Sequence, residues 1–168
     1  MHSVFLRYLF LLSFVFPVSC HSQPAAEALE DYYTVTRVVD GDTFYIDDGT
    51  AKGEKIRLIG IDAPESHRSQ HKEVQYYGKE AAAYLTRLLN NKKVKLEYDV
   101  SRKDKYRRTL AYVYLENGLF VNAHLVESGY AIILTVPPNV KYADRFLKLQ
   151  QEARKHKRGL WSGGKQDL

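Results

Sequence analysis

The sequence predicts an α+β domain built on a five-stranded β-barrel with three α-helices. Five short runs alternate β-branched or aromatic residues with polar ones, the period-two pattern of half-buried strands. A segment of helical composition falls between the third and fourth runs, and two more helical segments follow the fifth. The 168 residues contain no internal repeat and amount to one domain, long enough to bury a real hydrophobic core. Five strands with a helix between the third and fourth is the order of the Greek-key barrel known as the OB-fold.

The first strand is expected over residues 33–39, where Val35, Val38 and Val39 give β-branched character. Asp40-Gly41 is a hairpin signal, and residues 43–46 continue as the second strand. A loop rich in Asp and Gly leads to a third strand over residues 55–61, which Pro64 stops. Residues 66–77 read as a long polar loop. Helical propensity and apolar spacing then predict a helix over residues 79–89. Strands four and five are expected over 94–98 and 109–115, followed by a turn at Asn117-Gly118. A short helix over 121–128 stops at Gly129. Pro137-Pro138 breaks the chain again before a last amphipathic helix over 142–157.

The first 22 residues stand apart from the fold. Residues 8–18 form an apolar run too short to span a bilayer comfortably, with small and polar residues after it. This pattern predicts an export signal, the alternative being a retained N-terminal anchor. Cys20 is the only cysteine, so no intramolecular disulfide is available. Val18-Ser19-Cys20 resembles a bacterial lipoprotein attachment site, which implies a lipid anchor through Cys20; Pro17 stands where such sites usually carry leucine. Simple secretion with cleavage near Ser22 or Ala25-Ala26 is the other option. A linker over 23–31, the domain over 32–163 and a tail over 164–168 complete the expected organisation. Lysine and arginine (25) outnumber aspartate and glutamate (20), and the pI is near 9.2. That balance favours a polyanionic partner through counterion release and steering.

Three stretches carry the chemistry: Asp40-Gly41-Asp42-Thr43, residues 57–65 from Arg57 to Glu65, and residues 104–112, which include Lys105, Tyr106, Arg107 and Arg108. Together they supply two arginines, a spare carboxylate and a pair of carboxylates suited to a hard cation, which takes oxygen ligands. Phosphodiester cleavage needs this set: a metal to polarise the phosphate, a base to activate water, and cations to hold the developing charge. Arg57 lies mid-strand, so it is expected to face the open or solvated side of the barrel. Two further features read as structural. His67 and His71 have the spacing of a zinc pair, but their loop is non-helical and no cysteine or third histidine lies near. The basic run from Arg154 to Arg158 suits the solvated C-terminal end of the last helix.

In order and spacing these motifs strongly resemble the thermonuclease-like, or staphylococcal nuclease, family, from about Tyr33 to Trp161. The resemblance implies an OB-fold domain and a Ca²⁺-dependent nuclease acting on DNA and RNA as a monomer. It implies that Asp42 and Asp62 are the carboxylate ligands of the metal, with the backbone carbonyl of Ala63 as a third. Arg57 would then clamp the scissile phosphate, Glu65 would be the general base, and Arg108 would stabilise the pentacoordinate phosphorus and its leaving group. Lys105 and Tyr106 would contact a neighbouring phosphate. Three departures from the family pattern stand out: Ala63 replaces a common threonine, Arg107 and Thr109 replace the glycines that usually flank the second arginine, and Leu134 and Val136 stand in the region of the nucleotide-stacking tyrosines. The expected enzyme is exported, of low sequence specificity, and leaves 3′-phosphate ends. The rival class is a non-catalytic OB-fold module that holds nucleic acid without cutting it. Members of that kind typically lose the catalytic charges, which are all present here.

Overall fold

The computed structural model describes residues 31–68 and 73–163. The leader with Cys20, most of the linker, His71 and the tail therefore lie outside the described residues. Five strands close into a barrel: β1 (Tyr32–Asp40), β2 (Thr43–Ile46), β3 (Glu54–Leu58), β5 (Lys93–Glu97) and β6 (Thr109–Leu115), in the spatial order β1-β2-β3-β6-β5. All neighbours are antiparallel except β3 and β6, which run parallel. This is the OB-fold expected from the sequence, with helices α1 (Gly78–Leu89), α2 (Val121–Glu127) and α3 (Ala143–Lys155) packed on it.

The third strand is shorter than its apolar run suggests. β3 ends at Leu58, and Gly60, at φ +78°, turns the chain. Ile61–Asp62 then forms a separate two-residue strand, β4, paired with β7 (Ile132–Ile133). A side chain at position 60 would meet the Phe146 ring of α3 as well as the positive φ, so glycine is required there twice over. Gly41 has a different reason for being in the β1–β2 turn. Its φ is not positive, but a Cβ there would run into Ala63 and Ala81, so glycine permits close approach rather than an unusual dihedral.

The core fills the barrel and the space under the helices. Val35, Phe44, Ile46, Ile56, Val94 and Val113 are buried from the strands. α1 contributes Ala81, Leu85 and Leu89, four residues apart on one face. Each fully buried leucine is worth about 1.5–3 kcal/mol relative to exposure. One buried polar side chain ties the layers together where the functional segment begins. Asn122 of α2 donates from Nδ2 to the Ile59 carbonyl (2.9 Å), and its Oδ1 accepts the Val113 N–H (2.9 Å). The chain leaving β3 is thus fixed to a helix and to β6 at once, which makes its tip a rigid platform.

Candidate active site

Arg57 faces an open cleft, yet it is only 8% exposed, because its guanidinium lies between two carboxylates. Nη1 is 2.6 Å from Asp42 Oδ2 and Nη2 is 2.6 Å from Asp62 Oδ1. Asp42 sits in the β1–β2 turn, one residue before β2, and Asp62 ends β4. β2 places Thr43 directly opposite Arg57, which brings the turn to the guanidinium. Asp42 is itself buried and fully engaged: Oδ1 accepts from Thr43 Oγ1 and Oδ2 from the Ala63 N–H, both at 2.8 Å. Its backbone carbonyl accepts the Leu58 N–H (3.0 Å). A buried arginine is tolerated here because both its terminal nitrogens meet a carboxylate.

Arg108 stands one residue before β6, which runs parallel to β3. Asp104 organises the turn before it. Oδ1 accepts the N–H groups of Tyr106 (2.9 Å) and Arg108 (3.0 Å), and Oδ2 holds Arg108 Nε at 2.6 Å. Burial disfavours the Asp104 carboxylate, but the hydrogen bonds and charge of Arg108 outweigh it and hold its pKa below the ordinary value. With Nε taken, the terminal amino groups of Arg108 are left for another anion. The turn does differ, as the missing glycine suggests: Arg107 occupies it at φ +63°, a left-handed conformation costing a non-glycine residue about 1 kcal/mol. Tyr106 is 68% exposed, with Lys105 Nζ 5.1 Å and the Arg108 guanidinium 5.4 Å from its ring centre.

Arg57, Lys105, Tyr106 and Arg108 line one cleft of about 630 Å³. Its opposite wall is apolar, with Leu58, Ile61, Leu134, Val136 and Pro137. Leu134 and Val136 are substantially exposed, so the cleft presents an aliphatic face.

Glu65 lies in the loop after β4. Its N–H donates to Gln75 Oε1 (2.8 Å) and its carbonyl accepts the Gln75 N–H (2.9 Å), so the loop is pinned at both ends of that peptide. Its carboxyl is hydrogen-bonded to Asp40, for which the sequence predicts no role of its own within the first stretch. Burial pushes the Asp40 pKa up to about 6, and Glu65 and Asp42 add to this against an opposing hydrogen bond from Ser66. The signal for Asp40 was its place in Asp-Gly-Asp, since a two-residue turn carries both acids to one end of the hairpin. Asp40, Asp42 and Glu65 thus form an acidic patch of hard oxygen donors in which one member resists ionisation, the electrostatics that a bound cation relieves. Among the described residues no three His, Cys, Asp or Glu side chains are set as a complete metal cluster. Asp42 and Asp62 are paired with Arg57 here, and their carboxylate oxygens are the hard donor type that a calcium ion takes.

Of the histidine pair, His71 lies outside the described residues. His67 Nδ1 lies 2.7 Å from Ser66 Oγ. In the basic run, Arg154 stacks over Trp161, and Arg158 bonds the Glu127 carbonyl.

An OB-fold barrel with two arginines converging on one cleft beside paired carboxylates defines the class: a phosphodiester-cleaving enzyme. A family model described as "Staphylococcal nuclease homologue" matches residues 55–163. The thermonuclease of Staphylococcus hyicus is 45% identical over 138 residues, spanning 82% of this chain and 79% of its own. That of Staphylococcus intermedius is 45% identical over 130 residues, spanning 77% and 75%. The SPbeta prophage-derived endonuclease YokF of Bacillus subtilis is 41% identical over 133 residues, 77% of this chain and 43% of YokF. The chain belongs to the staphylococcal nuclease homologue family and is an enzyme of the nuclease type.

Proposed function

We propose that the chain is an exported, Ca²⁺-dependent nuclease that hydrolyses phosphodiester bonds in DNA and RNA with low sequence specificity and leaves 3′-phosphate ends. The observation that carries this reading is that Arg57 of β3 and Arg108, one residue before the parallel strand β6, line the same cleft while Asp42 and Asp62 both bind Arg57. A phosphate entering the cleft meets a guanidinium already oriented by two carboxylates and a second oriented by Asp104. Neither needs to reorganise as charge develops on the phosphoryl oxygens, which is how such donors lower a barrier. Lys105 and Tyr106 sit where the next phosphate passes. Glu65 takes the proton of the attacking water, and the 5′-side oxygen leaves. Asp42, Asp62 and the Ala63 carbonyl would hold calcium, which would supply Lewis-acid polarisation of the phosphate. The proposed contacts are to phosphate, and among the described residues no element is shaped to read a groove, which supports low specificity.

The test is cleavage of single-stranded DNA and RNA with and without chelator. EGTA should abolish cleavage and added calcium should restore it, with magnesium a poor substitute because its rigid octahedral demand suits few flexible sites. Full activity in EGTA sinks the calcium mechanism; absence of cleavage in any condition favours the binding module.

Export rests on the apolar leader, and the exported protein acts as a monomer. The N-terminus of the mature protein decides its form. A start after the leader supports secretion, and an acylated start at Cys20 supports a lipid anchor. An intact leader in the cytosol defeats both.

A further inference from the structure

A second cleft, of about 540 Å³, opens on the far side of Arg108. It shares Lys103, Tyr106 and Arg108 with the first, so the two form one continuous track with the exposed Tyr106 ring between them. Its other walls come from the β2–β3 hairpin, with Tyr45, Asp48, Lys52, Glu54 and Lys55, and from the turn before β6, with Arg107. The charge is asymmetric. Glu54 is occupied by Thr109 Oγ1 and lies 3.7 Å from Lys103 Nζ, and Asp48 is bonded by Thr50. Lys52, Lys55 and Arg107 have no carboxylate partner among the described residues. Arg107 also keeps its left-handed φ of +63° where glycine would sit without strain. A cation held at a conformational cost on the rim of a basic groove points to a ligand rather than to stability.

We infer that this second cleft is an extended polynucleotide subsite, in which Lys52, Lys55 and Arg107 hold phosphates of the strand that flanks the scissile bond. The inference rests on the nuclease reading of the first cleft and deepens it. A basic groove beside an exposed tyrosine is the arrangement that tracks single strands, where the backbone supplies affinity and a ring supplies stacking. None of the three residues reaches into the first cleft, so they act on affinity for long substrates and leave the chemical step alone.

The experiment compares the wild type with Lys52→Ala/Lys55→Ala/Arg107→Ala. A control, Lys79→Ala/Lys148→Ala/Lys155→Ala, removes the same charge from exposed positions on α1 and α3. Binding of a single-stranded oligonucleotide of about twelve nucleotides, within the site size of such folds, is measured in EGTA, where no cleavage is needed for a signal. The groove variant should bind tenfold or more weakly at low salt, and its salt dependence should flatten by about 2 in log–log slope, about 0.7 for each phosphate no longer neutralised. The control should change both far less. Turnover of a dinucleotide with calcium should match the wild type in both variants, which also shows that they fold. Equal slopes in wild type and groove variant overturn the inference, as does a control that weakens as much as the groove variant. A wild type that binds with the expected slope yet cuts nothing overturns the nuclease reading and leaves the subsite standing.

Discussion

Arg108→Lys is expected to lower turnover by about 10²-fold or more, the range for removing a donor to transition-state charge, while Arg107→Lys costs under about tenfold because Arg107 lines only the second cleft. The two residues are adjacent, so the contrast tests geometry rather than net charge. Arg108 uses Nε to hold Asp104 at 2.6 Å and keeps its terminal amino groups for the cleft. A lysine has one nitrogen for both tasks: if it pairs with Asp104 it leaves the phosphate, and if it reaches the phosphate it abandons the turn. Arg107 is exposed, lines only the second cleft and bonds no described carboxylate. Single-turnover cleavage of a dinucleotide in saturating calcium isolates the chemical step. Reversed losses would mean that the register through residues 104–109 is misassigned.

What was legible in the sequence follows from what is local. β1, β2, β5 and β6 announce themselves by alternation, and α1 by alanine and leucine four residues apart, because each pattern needs only its own segment. The break after Leu58 was hidden: Leu58, Ile59 and Ile61 read as one apolar strand, and only the Phe146 ring, far along the chain, explains why Gly60 turns. β7 has two residues, too few for any period. The site residues were legible as a set by their motifs, yet their relations were not. Sequence rules place a mid-strand arginine in solvent; burying Arg57 requires two carboxylates from separate turns, which is a tertiary fact. The Asp40–Glu65 pair is likewise invisible in one dimension, since twenty-odd residues of barrel separate its members. Asp104 has no evident task within its motif, and its three bonds into the Arg108 turn supply one.

Glu65→Gln should cut turnover by about 10² to 10⁴, the range for losing a general base, with calcium and substrate affinity little changed. The amide keeps the size of the side chain and its backbone anchors to Gln75 are untouched, so the loop should stay in place. What changes is the pair with Asp40. In the wild type Asp40 is pushed up to about 6 from 3.8, so between those values the folded protein binds more protons than the unfolded one. Its stability in chelator should therefore fall as pH rises through that window, and stay level above it. A glutamine can donate an N–H to the Asp40 carboxylate, which favours the charged form and should shrink that fall. The rate should follow the same pair: the wild type shows an ascending limb with pH that belongs to Asp40 and Glu65 jointly, and the variant lacks it. Two outcomes would change the assignment. A near-normal rate makes Glu65 a bystander, and a loss of calcium affinity in step with rate makes it a partner of the metal. Slow, pH-independent turnover with intact binding leaves proton abstraction as the role its position serves.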